Sequence, residues 1–422
     1  MTHNKNIDSY RLTIILWLVA TLLGAVPYFV TGAVPGITDA VFESVSGFTT
    51  TGSSVVADPA ALPAWLRLWR AATQWVGGLG LVLFAVAMIP RLRNASSQLY
   101  AAEFSGTQQR KLHPHMARNV SRMWMVYTLL TLGLTAALAS CGNDMLDSLC
   151  LALSTVSTGG FLTTASGMAS YNQATLDVIT VFMFASGINL ALIYNFLTLH
   201  WRRLRRSDEL IVYAVVFALA VAVCSVAFGL SGTPWSQSIR YSLFHIASTM
   251  STCGFYTEAP AQWPFVASVI TFLLILSGAM AGSTGGGIKL RRLMTIHLYL
   301  RNYFTRMLHP AAVLSIKIDR KVVEPDYVNK IFGFVFLYIL FIIGGAFVLT
   351  ITGSSVAEAF CLAAANISNL GPSPIINSLG ANFEYALLPD AAKWTLAVLM
   401  LAGRLEIFAL LAIVSPSYWR RQ

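Results

Sequence analysis

The side chains with coordinating chemistry in this sequence are oxygen donors, and they recur in columns. Four gapless stretches align as Asp39-AVFESVSGFTTT-Gly52, Asp147-SLCLALSTVSTG-Gly160, Tyr241-SLFHIASTMSTC-Gly254 and Glu358-AFCLAAANISNL-Gly371. Glycine ends all four. Three positions earlier stand Thr49, Ser157, Ser251 and Ser368. Two positions earlier stand Thr50, Thr158, Thr252 and Asn369, and one position earlier Thr51, Gly159, Cys253 and Leu370. Hydroxyl and carbonyl oxygens in a ring are the donors that replace the water around an alkali cation. A helix C-cap alone would account for a glycine in each copy, but not for the hydroxyl columns. Other chemistries lack their residues. The cysteines form no CxxC pair, so neither a disulfide framework nor a zinc site is indicated. The histidines have no metal spacing, and no nucleophile stands beside a base, so no enzyme is expected.

The elements that must position these residues follow from composition. Of 422 residues, 56% are hydrophobic and only 11% charged, far below the quarter typical of soluble domains. The bilayer must be the main solvent. Stretches at 12–30, 71–89, 123–139, 176–199, 210–230, 264–300 (interrupted), 331–351 and 391–414 are long and apolar enough to span. The first is too long for a signal peptide and lacks a cleavage site, so it is expected to be retained. Between members of each pair lies a shorter apolar segment, at 39–48, 147–156, 241–250 and 358–367. Those are too short to cross and are expected to be re-entrant or buried helices.

Charge placement orients the spans. Arg91, Arg93, Arg110, Lys111, Arg118, Arg122, Arg202, Arg203, Arg205, Arg206, Arg291, Arg292, Arg301, Arg306, Lys317, Arg320, Lys321 and Lys330 fall on one side with Lys5, Arg11, Arg420 and Arg421. That side is expected to be cytoplasmic and to hold both termini. The net charge of +10 is then a topology signal and requires no nucleic acid. The opposite loops carry acids, with Arg67, Arg70, Arg240 and Lys393 as their bases. Asp39, Glu43, Asp147 and Glu358 are expected to draw cations to an outer mouth.

The implied fold is an all-α polytopic membrane protein. Four tandem span–pore helix–span units, 1–98, 99–205, 206–310 and 311–422, are arranged pseudo-fourfold around one central pore. A short helix entering from outside directs its negative C-terminal end inward, which suits a cation. The extended backbone after it is tolerated at that depth only where it lines a cavity or is buried in protein. Acids near the outer helix ends sit where an anion is favourable.

At these residues the chain resembles the Trk/Ktr/HKT superfamily of potassium transporters, as a pore-forming membrane subunit. FESVSGFTTTGSS (42–54) is similar to the family's first pore loop and WRAATQWVGGLG (69–80) to the helix after it. GSTGGGIK (282–289) is similar to its intramembrane loop and GRLEIFALL (403–411) to its final helix. The resemblance covers essentially the whole chain. It implies potassium uptake across a bacterial inner membrane, with K+ as the transported ion and filter glycines at Gly52, Gly160, Gly254 and Gly371. It further implies a homodimer and a cytosolic RCK-type ring that alone would bind nucleotide. Gly52 in the first filter goes with potassium. Cys253 and Leu370 make the ring asymmetric in side chains.

A gate is expected below the filter. Gly282, Ser283, Thr284, Gly285, Gly286 and Gly287 interrupt a span, and three consecutive glycines should break its helix. The freed backbone needs a wet cavity, and small residues can absorb a change in backbone angle. Small-residue helix packing is the alternative. Arg404 is a base deep in a span, costly by about 2.5–3.5 kcal/mol. It is expected to face the pathway near the loop, repel cations and hold the loop closed; an ion pair with Glu406 of a neighbouring chain is the alternative. Lys289 is expected to snorkel to the interface. Asn189 and Asn195 are open between cavity lining and helix packing, and His245 is expected to be a core residue. The competing functional class is a secondary transporter coupling potassium to sodium or protons. Coupling favours intramembrane carboxylates or inverted repeats, whereas these repeats are parallel.

Overall fold

The computed structural model describes residues 2–34, 36–80, 116–257, 263–312, 314–371, 384–407 and 410. Arg91, Arg93, Arg110, Lys111, Glu258, Arg420 and Arg421 lie outside the described residues.

Each repeat opens with a long apolar helix: α1 (Thr2–Val30), α4 (Met116–Ser140), α9 (Asp208–Leu230) and α13 (Pro325–Ile351). Each contains a stretch long and apolar enough to cross a membrane, Leu12–Val30, Val120–Ser140, Asp208–Leu230 and Pro325–Ile351. Local signals set their starts. Ser207 caps α9 by accepting the Leu210 N–H, with Asp208 and Glu209 in the first turn. Pro325 begins α13, where its missing N–H costs nothing. Their outward faces, such as Leu22, Leu23, Leu219 and Phe336, stay exposed, as side chains that meet lipid should.

Three of the four short helices take the expected span: α2 (Ile37–Phe48), α5 (Met145–Val156) and α14 (Val356–Ile367). α14 starts in a capping box in which Ser355 and Glu358 exchange hydrogen bonds. The third, α10 (Trp235–Ser251), begins six residues ahead of the expected Tyr241.

The helices that close the repeats depart most from single spans. α3 (Ala64–Gly78) leads into the undescribed segment, and α15 (Asp390–Arg404) ends beside Leu405. The stretch 176–199 is not one helix. It divides into α6 (Gln173–Ser186) and α7 (Leu190–Leu197), bent by 110°. The break follows from Asn189, whose side chain accepts the Ala191 N–H and so starts a new helix. A four-residue turn, α8 (Trp201–Leu204), follows. In the third repeat α11 (Phe265–Ser277) stops at Gly278, and α12 (Leu290–Leu308) resumes after the glycine-rich loop. Gly278 has φ 64° and ψ −166°, a conformation open only to glycine. A two-residue hairpin, β1 (Lys317–Ile318) and β2 (Lys321–Val322), precedes α13.

One packing rule runs through the molecule. Each opening helix packs on its own short helix, and each closing helix packs on the short helix of the next repeat: α3 on α5, α6 on α10, α11 on α14, and α15 back on α2. The chain therefore closes on itself. One apolar core joins the first and fourth repeats around Tyr28, Phe42, Tyr338 and Leu362. Another joins the second and third around Tyr127, Leu151, Met183 and Phe244.

Candidate functional site

The short helices α2, α5, α10 and α14 end in the same hydrogen-bonded motif. Thr50 N–H donates to Gly47 O and Thr51 N–H to Ser46 O. Thr158 and Gly159 repeat this with Thr155 and Ser154, Thr252 and Cys253 with Thr249 and Ser248, and Asn369 and Leu370 with Asn366 and Ala365. These are Schellman caps. The left-handed residue in each is Thr50, Thr158, Thr252 or Asn369, with φ of 56°, 56°, 62° and 53°. Glycine would be the ordinary choice there; a β-branched residue is a true outlier, held only by surrounding structure. The four aligned glycines come two residues later, so they are not the caps.

Gly52, Gly160, Gly254 and Gly371 also have positive φ, 85°, 77°, 83° and 68°. Three of them meet a neighbouring repeat by one rule. A Cβ on Gly52 would strike the Gly159 carbonyl, one on Gly160 the Cys253 carbonyl, and one on Gly371 the Thr51 carbonyl. Each glycine thus abuts the carbonyl of the residue that precedes the next repeat's glycine. At these glycines the contact between repeats is made by backbone, so it does not require one side chain at the position before the glycine, where Thr51, Gly159, Cys253 and Leu370 stand.

The hydroxyl column turns away from this contact. Thr49, Ser157, Ser251 and Ser368 donate to Val45, Ser154, Ser248 and Ala364 carbonyls of their own helices. Longer-range bonds tie segments together. Gln74 donates to Gly159 O at 2.7 Å, Ser53 to Asn366 at 2.8 Å, and Asn369 to Thr51 Oγ1 at 3.1 Å and Met400 O at 2.9 Å. His245 is buried against Thr257, with Nε2 and the hydroxyl 3.1 Å apart.

The four acids do not make an open acidic rim. Glu43 is fully buried behind the first segment and pairs with buried Arg70 at 2.8 Å. It also accepts from Ser54 Oγ and Val55 N–H, while Arg70 donates to Leu162 O and lies over the Phe161 ring. The pair is a strut between the segments that follow α2 and α5. Asp39 pairs with Lys393 at 2.6 Å, Asp147 with Arg67 at 3.1 Å, and Glu358 serves the capping box. Partial burial holds the Asp147 carboxyl above its ordinary range, against the pull of Arg67. For Asp39 and Asp147 the reason is geometric: at the outer ends of closely packed helices, each meets a neighbouring repeat's base.

The glycine-rich loop lies against the C-terminal ends of the short helices. Gly286 N–H donates to Thr252 Oγ1 at 2.7 Å, and Thr284 Oγ1 to Val156 O at 3.1 Å. A Cβ on Gly285 would meet Ser251 O, and one on Gly286 would meet Ser368 O. The loop therefore touches the ends of three short helices. Ser283 folds back on Met280 O, and Gly282 lies against Asn189, whose amide donates to Ala281 O. Asn189 is thus a loop anchor as well as a cap, and Asn195 accepts from Arg203 instead. Lys289 does not snorkel. Its Nζ folds back to donate to Gly285 O, because its φ of 76° aims the side chain under the loop.

Arg404 reaches across this level. One nitrogen donates to Thr284 O at 3.0 Å, and another donates to Gly78 O at 2.7 Å and to Gly77 O. Gly77 and Gly403 both let a closing helix touch the last carbonyl of a short helix, Phe48 O and Ile367 O. Arg404 therefore occupies in the fourth repeat the position of Gly78 in the first, where a Cβ would press on the Tyr127 hydroxyl and on Ser157. A cavity of about 70 Å³ beneath the loop is lined by Gly282, Lys289, Arg292, Arg404 and Glu406.

The residue-by-residue reading missed several members of this site. Arg292 pairs with Glu406 at 2.6 Å and lies over the Phe334 ring. Glu209, also buried, accepts the Ala281 N–H at 2.7 Å and faces Arg291 at 3.7 Å. Arg70 and Gln74 complete the omissions. Their only sequence signal was a polar residue close to a break or filter, which does not by itself say what it meets.

Comparison with known proteins agrees with this geometry. A family model described as "TrkH: Cation transport protein" matches residues 3–223 and 215–421. The Trk system potassium uptake protein TrkH of Escherichia coli K12 is 31% identical over 427 residues, covering 99% of this chain and 86% of that protein. TrkG of the same strain is 30% identical, covering 98% of this chain and 85% of that protein. The crystal structure of the potassium transporter TrkH from Vibrio parahaemolyticus superposes with a TM-score of 0.86 at 29% identity, covering 98% of this chain and 86% of that one. With its closed ring of four repeats and a family match running nearly end to end, the chain belongs to the TrkH family of cation transport proteins.

Proposed function

We propose that this chain is a potassium uptake pore of the bacterial cytoplasmic membrane, with both termini on the cytoplasmic side. Its filter consists of 49–52, 157–160, 251–254 and 368–371, arranged pseudo-fourfold around one axis. The observation that supports the reading is the repeated abutment of glycine on a neighbouring repeat's carbonyl, at Gly52, Gly160 and Gly371. Such a ring offers oxygens of moderate field strength to a dehydrating potassium ion. The Schellman caps leave the short helices' negative ends turned toward it. Hydroxyls engaged with their own helices leave coordination to carbonyls.

The loop 282–287 with Lys289 and Arg404 is the gate in this proposal. Lys289, Arg404 and the paired Arg292 and Glu406 line the cavity below the filter, and the Arg404 charge opposes a cation there. The filter stays as built while the loop moves. A homodimer, regulated by a cytosolic RCK-type nucleotide-binding ring, is the assembly we propose on family grounds. Glu406, just past the end of the closing helix, is paired with Arg292, which favours a gated channel over proton- or sodium-coupled transport. Reversal potentials in proteoliposomes test this. A channel follows the potassium gradient alone, and a dependence on the sodium or proton gradient would overturn the reading. Rescue of growth at low potassium, in a strain lacking uptake systems, tests transport itself.

A further inference from the structure

Away from the filter, on the face opposite the basic loops, a groove of about 640 Å³ lies between α6, α9 and α10. Its two ends differ. Gln173, Asp177, Gln237 and Arg240 stand at the outer end, and Val181, Phe184, Phe217 and Phe244 lie deeper. Phe184 and Phe217 form its floor, with ring centroids 4.6 Å apart. Val181 on its wall is 65% exposed, so the groove opens sideways to the hydrocarbon.

Depth and charge define an occupant. From Gln173 to Phe184 the groove follows α6 for about 16 Å at 1.5 Å per residue. That is about half of a 30 Å hydrocarbon core, or one leaflet. A transmembrane helix from a second copy would need a groove running the full thickness. Three of the four bases assigned to this face are held by acids: Arg67 by Asp147, Arg70 by Glu43, and Lys393 by Asp39. Arg240 is the exception; among the described residues it enters no ion pair, and it is exposed at the rim. Asp177 is also exposed there and accepts only from Gln173 on its own helix turn. A base and an acid, each available and not paired with the other, match a headgroup that carries both signs.

We infer that this groove binds a zwitterionic phospholipid of the outer leaflet, with its phosphate on Arg240, its ammonium on Asp177 and an acyl chain laid over Phe184 and Phe217. Thr257 lines the groove and meets His245 of α10.

Native mass spectrometry of the full chain in detergent, titrated with phosphatidylethanolamine or phosphatidylglycerol, tests the site. Arg240→Gln should weaken retention of both lipids, by roughly tenfold for a lost charge-assisted phosphate contact. Asp177→Asn should weaken phosphatidylethanolamine but not phosphatidylglycerol, because only the former brings an ammonium. Val181→Trp should block both by filling the groove without touching the charges. Unchanged retention in Arg240→Gln and Val181→Trp would overturn the inference. So would a disulfide between two copies carrying Val181→Cys, since a second copy would then cover the groove.

Discussion

Replacing Arg404 by alanine separates the gate from the filter. In the gate proposed above the structure is the closed arrangement, and there Arg404 donates to the loop at Thr284 O and to Gly77 O and Gly78 O of α3. Only the first bears on the loop's position. A bond from a charged donor contributes about 1.5–3 kcal/mol, so its loss should raise the open-to-closed ratio about 10- to 150-fold. A loop open about 1% of the time would then be open roughly 10–60% of the time. The remaining anchors, Gly286 to Thr252, Thr284 to Val156 and Ala281 to Glu209, keep the loop from collapsing. Removing the cation from the cavity acts in the same direction. Potassium flux into proteoliposomes holding this chain alone should rise at least tenfold, with the potassium-to-sodium ratio unchanged. Arg404→Lys, which keeps the charge but cannot span both sets of carbonyls, should fall between the two. Wild-type flux in Arg404→Ala would refute the reasoning. So would a rise in sodium and potassium together, because the residue would then be holding the filter.

Further predictions follow from the neighbouring contacts. Gly160→Ala should abolish selective flux, since its Cβ would press on the immovable Cys253 carbonyl and φ of 77° costs a non-glycine residue about 1–2 kcal/mol; selective flux in this variant would contradict the backbone ring. Glu43→Ala should destabilise the fold by about 3–5 kcal/mol by leaving Arg70 buried without its partner. The double change Glu43→Gln with Arg70→Met should recover most of that loss in thermal unfolding. Glu209→Ala should leave the Ala281 N–H unsatisfied and loosen the loop by about 1–3 kcal/mol. Hydrogen exchange across 278–289 should quicken, while Glu209→Gln, which keeps the acceptor, should protect it nearly as well as the native residue.

What was legible in the sequence is what repeats locally. The short helices are each coded by about ten apolar residues between polar ends, and their extents were recovered closely, except that α10 starts earlier at Trp235. The loop break was legible because three adjacent glycines defeat a helix whatever surrounds them. The break at Asn189 was not, because an asparagine inside an apolar run signals a cap only once its side chain is seen on the Ala191 N–H. The outer acids misled for a related reason. Their placement is local, but Arg67 meets Asp147 and Lys393 meets Asp39 across repeat boundaries.

The sequence by itself determined that the chain is a membrane protein, and that a short apolar segment followed by a polar run and a glycine recurs four times. Hydropathy, charge asymmetry and internal alignment are properties of the chain, and no partner is needed to read them. Only the tertiary structure decided why Gly52, Gly160 and Gly371 must be glycine: the carbonyl that excludes a Cβ belongs to a neighbouring repeat, far away in sequence. It likewise decided that Arg404 spans from Thr284 to Gly77 and Gly78, and that Lys289 turns back under its own loop. Contacts made between repeats depend on how the ring closes, and closure is a property of packing that no single repeat encodes.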